Sequence, residues 1–150
     1  MKSAQAQFEI VRRVCFCAGH RVYGHETKCR NLHGHNYVAF FHAVPKSGLD
    51  DLGRVIDFGV LKQRLGGWID EHWDHGLVLW EGDKEAIAAA QQMGAQKLFL
   101  LRTNPTAENL AFDLLHVIAP QMLSDTDVII TKVTLWETEN CYAEVSLNVR

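Results

Sequence analysis

His33 and His35 stand two residues apart in the run His-Gly-His-Asn-Tyr, and His20 precedes them by one loop. Residues i and i+2 of an extended strand project from the same face. Two imidazoles at this spacing, joined by a third from the neighbouring strand, therefore supply three corners of a tetrahedron. Three neutral nitrogens with one position left open form the donor set of a catalytic zinc rather than of a closed structural one. A His-x-His pair by itself is more often an ordinary pair of strand histidines; His20 and Cys29 alongside turn the reading toward metal.

Cys29 lies between Lys28 and Arg30, four residues before His33. Cations and a nearby metal favour the thiolate, which suits a base or nucleophile; closing the metal site as a fourth ligand is the other use of such a thiol. Asp74 and His75 are adjacent. A carboxylate that steadies an imidazolium makes a general acid/base, although the same pair also describes a solvated helix end. Glu137, in Trp-Glu-Thr-Glu-Asn, could accept two parallel N–H groups from a guanidine-like ring edge or mark a surface turn. Cys15 and Cys17 form a C-x-C that with His20 could hold a structural zinc; alternate cysteines in an apolar strand more often pack as small hydrophobes.

These side chains need elements to hold them. Phe8 to Cys17 is aromatic and β-branched and predicts a strand, Gly24 to Arg30 a polar loop, and His33 to Val44 a second strand. A helix is expected from Phe58 to about Trp73, with Asp57 as N-cap. Residues 81 to 97 form an insert with a short Ala-rich helix stopped at Gly94, followed by strand-like LFLL. Pro105 to Leu123 predicts a helix capped by Thr106, with Leu110, Leu114 and Val117 as its apolar stripe and Pro120 ending or kinking it. Two strands close the chain across the polar ETEN. The expectation is α+β in the order ββααββ: a four-stranded antiparallel sheet with two helices on one face, in a single domain over 1–150.

With 150 residues the chain can bury a core without disulfides or structural metals, so a metal site calls for a functional reason. The formal charge of -3 gives no basic footprint for nucleic acid. No apolar run approaches the roughly 20 residues that span a bilayer, and the opening MKSAQAQFEIVRRV lacks a signal-peptide core; a cytoplasmic protein with four thiols is expected.

Taken in order, FCAGHRV, CRNLHGHNY, VIDFG, the Asp74-His75 pair, NPTAENLA and WETEN resemble the 6-pyruvoyl-tetrahydropterin synthase family. The C-x-x-x-H-G-H spacing from Cys29 to His35 is similar to its bacterial carboxy-tetrahydropterin branch, which acts in queuosine (7-deazaguanine) biosynthesis. The resemblance implies the tunnelling fold, or T-fold. It implies Zn2+ on His20, His33 and His35, a proton-transfer set of Cys29, Asp74 and His75, and a pterin anchor at Glu137, with Thr106 a weaker pterin contact. It further implies 7,8-dihydroneopterin triphosphate as substrate and a homo-hexamer of two trimers with active sites between subunits. Cys17 stands where the family has a small Ser, and Trp73 and the GLVLW around the dyad also depart from its pattern. A pyruvoyl product from the same substrate, cleavage of a related pterin side chain, and a zinc-stabilised interaction domain are the alternatives.

Overall fold

The computed structural model describes residues 5–148. Two long strands, β1 (Ile10–His20) and β2 (His33–Pro45), pair antiparallel from Ile10 opposite Ala43 to His20 opposite His33. Aromatic and β-branched residues dominate both, and alternate positions face one core: Phe16, Ala18 and His20 on β1, and Tyr37, Ala39 and Phe41 on β2, are all buried. β1 runs three residues beyond the expected Cys17, which brings His20 into the ladder.

The sheet has six strands in the order β4-β3-β1-β2-β5-β6, not the expected four. The additions are β3 (Gly76–Trp80) and β4 (Leu98–Leu101), parallel to each other, with β3 also parallel to the end of β1. Both are short apolar runs: LFLL is the strand that the sequence suggests, and GLVLW, five residues long, is of a length at which periodicity does not separate a strand from a buried helix segment. They flank α2 (Lys84–Gln92), so the insert is a strand-helix-strand crossover added to one sheet edge. β5 (Val128–Thr138) and β6 (Cys141–Ser146) complete the antiparallel part.

Helix α1 (58–72) is N-capped by Asp57, whose carboxylate accepts the Gly59 N–H at 2.7 Å; α3 (107–122) is capped by Thr106, whose hydroxyl accepts the Asn109 N–H at 3.2 Å. Their Leu61, Leu65, Ile69, Leu110, Leu114 and Ile118 pack on the sheet's core face. α3 does not stop at Pro120. It widens into a π-type turn over 114–118, as α1 does over 62–66, and continues through Pro120 in its last turn. The widened turn advances the apolar stripe by one residue: Ile118 is buried and the expected Val117 is exposed. Among the described residues no helix is long and apolar enough to cross a membrane.

Candidate active site

The end of the β1–β2 ladder makes the first cluster. His20 and His33 are opposite one another, and His35 follows on the same face of β2. One ring nitrogen from each of the three lies within 4.8 Å of the others. Gly34 permits the close strand approach: a Cβ there would stand 3.1 Å from the Ala18 carbonyl oxygen.

Backbone carbonyls set the tautomers. His20 Nδ1 donates to the Pro105 carbonyl at 2.7 Å, and His33 Nδ1 donates to the Asn31 carbonyl at 2.6 Å. In a neutral imidazole the other nitrogen then carries a lone pair. The two Nε2 atoms face each other at 3.1 Å, so lone pair meets lone pair and a cation belongs between them. His35 Nε2 is buried with no hydrogen-bond partner and lies 3.5 Å from Glu137 Oε1. An orphaned buried nitrogen costs roughly 1–3 kcal/mol, a cost that ligation removes. Burial, with His33 and His35 nearby, pulls the His20 imidazole down to about 4, and burial also lowers His35. Both are held neutral, the form that binds metal. The donor set fits tetrahedral zinc with three nitrogens and one open position.

Glu137 reaches this corner by a register shift. Trp136 opposes Tyr142 and Thr138 opposes Cys141, so Glu137 is the extra residue of a bulge at the end of β5. It borders a cleft of about 650 Å³ lined by Arg13, His35, Asn36, Phe40 and Trp136. Tyr37 closes the corner from below, its hydroxyl 3.4 Å from His20 Nδ1. Burial, and then the Glu137 charge, push its pKa well above the ordinary value.

The dyad forms as the sequence suggests: His75 Nδ1 donates to Asp74 Oδ2 at 2.7 Å. His75 has φ of 57°, the single non-glycine positive φ among the described residues. Its N–H donates to the Cys17 carbonyl at 2.7 Å, and Asp74 Oδ1 accepts the Cys17 N–H at 2.9 Å. Burial raises the Asp74 carboxyl, but the Cys17 N–H, His75 and the Lys97 ammonium outweigh it and hold the group below the usual carboxylate value.

Cys29 sits on a single 3₁₀ turn, Lys28–Arg30, half-buried, with its carbonyl accepting the Val22 N–H at 2.9 Å. It belongs to neither close group of metal-binding side chains; the thiol that adjoins Asp74 and His75 in the same chain is Cys17. Strand alternation turns Cys15 and Cys17 to the face opposite His20, so the C-x-C and His20 do not converge. Thr106 spends its hydroxyl on the helix cap, and Pro105 before it supplies the carbonyl for His20.

Two contributions have no sequence signal: the carbonyls of Pro105 and Asn31, which any residue type could provide. A third came from the insert. Lys97 donates its ammonium to the carbonyls of Asp70 and Asp74, each at 2.5 Å, and so caps the turn that carries the dyad.

The family model described as "6-pyruvoyl tetrahydropterin synthase" matches residues 9–148. A relative from Rickettsia bellii named 6-carboxy-5,6,7,8-tetrahydropterin synthase is 44% identical over 137 residues, covering 91% of this chain and 99% of that protein. Among solved structures, an uncharacterized protein from Wolinella succinogenes superposes with TM-score 0.78 at 23% identity, covering 95% of this chain and 99% of that one. The 6-pyruvoyl tetrahydropterin synthase of Caenorhabditis elegans does so with TM-score 0.66 at 23% identity, covering 95% and 97%. With the T-fold in its sheet and helices and this match along nearly its whole length, the chain belongs to the 6-pyruvoyl tetrahydropterin synthase family.

Proposed function

We propose that the chain is a zinc-dependent 6-carboxy-5,6,7,8-tetrahydropterin synthase. It would convert 7,8-dihydroneopterin triphosphate and water to the carboxypterin, acetaldehyde and triphosphate, in queuosine biosynthesis. The carrying observation is the pair of Nε2 lone pairs 3.1 Å apart, each fixed by an Nδ1–H bond to a carbonyl. The carboxy branch is supported by the 44% identity to the Rickettsia bellii relative of that name.

His20, His33 and His35 would hold the zinc, which when bound acts as a Lewis acid on the substrate's side-chain oxygens. Cys29, as thiolate, takes a proton from the pterin side chain. His75, its Nδ1–H held by Asp74, leaves Nε2 to move a proton at the neighbouring carbon. Glu137 accepts the paired N–H groups of the pterin edge beside the cleft. The dyad stands by Cys17, on the sheet face opposite His20. That separation supports an assembly in which the dyad of one chain serves the histidine corner of another, in a cytoplasmic homo-hexamer.

The test is incubation of protein carrying one zinc per chain with dihydroneopterin triphosphate, with products identified by mass spectrometry and the aldehyde trapped. Carboxypterin with acetaldehyde is the expected result. A pyruvoyl product would move the chain to the sister activity, and unchanged substrate would remove the proposal.

A further inference from the structure

Cys17 is the feature that the proposed chemistry leaves unused. One donor atom each from Cys17, Asp74 and His75 lies within 4.8 Å of the other two. Thiolate, carboxylate and imidazole are together a recurrent ligand set for zinc and its neighbours in the transition series. In a tetrahedral site with bonds of about 2.0–2.3 Å, donors stand roughly 3.2–3.7 Å apart, so closure needs movements of about 1 Å. The side chains can make them, because that of His75 is 79% exposed. The backbone already holds them together: Asp74 Oδ1 accepts the Cys17 N–H, and the His75 N–H donates to the Cys17 carbonyl. The Lys97 ammonium at the Asp74 carbonyl opposes an incoming metal, and Arg12 and Arg13 line the cavity that Asp74 borders; a thiolate and a carboxylate bonded directly to the metal offset these more distant charges.

We propose that Cys17, Asp74 and His75 form a second divalent-metal site, distinct from the three-histidine corner, which takes zinc or cobalt and arrests the dyad. The thiol loses its proton to solvent as the metal binds, and no redox step is involved. An occupied site takes His75 out of proton transfer, so the inhibitory role rests on the proposed function, while the binding itself does not.

Cobalt(II) titration of metal-stripped protein separates the two. The wild type should bind two equivalents per chain, and the second should bring the near-ultraviolet charge-transfer band of a cobalt thiolate. Cys17→Ser should bind one equivalent without the band, and Cys29→Ala should keep both. Should stripping unfold the chain, cobalt added to protein carrying one zinc reads the same site. A band that survives Cys17→Ser, a single equivalent in the wild type, or a second equivalent without the band overturns the site. Zinc beyond one equivalent should suppress turnover in the wild type and spare Cys17→Ser; equal turnover in a wild type with the second site filled overturns the inhibitory role. If no pterin is turned over at all, stoichiometry and spectrum still decide the site.

Discussion

The three-histidine corner and the Asp74–His75 dyad are built on opposite principles. The corner lies in the sheet ladder with His20 buried and His33 and His35 partly buried, two rings locked by carbonyls and the His35 Nε2 without a hydrogen-bond partner. The dyad sits on a turn with a positive φ, and its imidazole is 79% exposed. In the proposed function the ladder suits a metal-ligand set, which tolerates little motion, and the exposed turn suits a proton carrier, which must reach a substrate. The difference also teaches that within a single chain the two are separate groups that share no residue.

The largest way to break this comparison is at the corner. His33→Ala should lower bound zinc by one equivalent per chain, read by metal analysis, and take activity to background; a variant that stays active without that equivalent would show that the corner is not the catalytic centre. Next is the division between chains. Cys29→Ala and His75→Ala should each cost about 10²–10⁴ in turnover with zinc retained. Mixing the two variants through denaturation and refolding should restore about a quarter of wild-type activity, because half the chains supply each intact group. A mixture as dead as its parents would mean that thiol and dyad act within one chain.

Glu137→Gln keeps the shape and removes the charge beside the cleft. It should lower kcat/KM by about ten- to a hundredfold, the loss of one or two charge-assisted hydrogen bonds, chiefly through KM; an unchanged KM would remove Glu137 from the pterin site.

The smallest effect on activity, though not on stability, belongs to the insert. Asp83 is fully buried, caps α2 and pairs with Arg21, next to His20, at 2.5 Å. Asp83→Asn leaves the guanidinium with only the exposed Glu85, at 3.3 Å, as a carboxylate partner and should cost about 2 kcal/mol in thermal unfolding. Arg21 holds the Asp83 carboxyl below its ordinary value. The folded state therefore binds fewer protons than the unfolded state in acid. The stabilisation is complete above the ordinary aspartate pKa of about 4 and fades as pH falls through the lowered value. In Asp83→Asn this acid loss should shrink.

Much was legible before any coordinates. Alternation on β1 and β2 put His33, His35 and Tyr37 on one face, and capping residues located the starts of α1 and α3, because these signals act over two to four neighbouring residues. LFLL reads as a strand in the sequence and is one, but GLVLW carries no such reading, and the parallel pairing of the two at the edge of β1 is not legible: it joins Leu77 to Leu98 and Ala18 to Gly76, far apart in the chain. Val117 failed as a core residue because a helix that widens before a proline breaks the regular period on which the stripe was counted.

For the site, the sequence alone determined which side chains are available: three imidazoles, a thiol among basic residues, a carboxylate beside an imidazole, and a glycine between two histidines. Tertiary structure decided which nitrogen of His20 and of His33 is free, since that follows from the carbonyls of Pro105 and Asn31, the former 85 residues distant from His20. It also decided that Glu137 meets His35, through a bulge, and that Cys17 rather than Cys29 adjoins the dyad. Residue type sets the chemistry that a side chain can perform; long-range pairing sets which groups are close enough to perform it together.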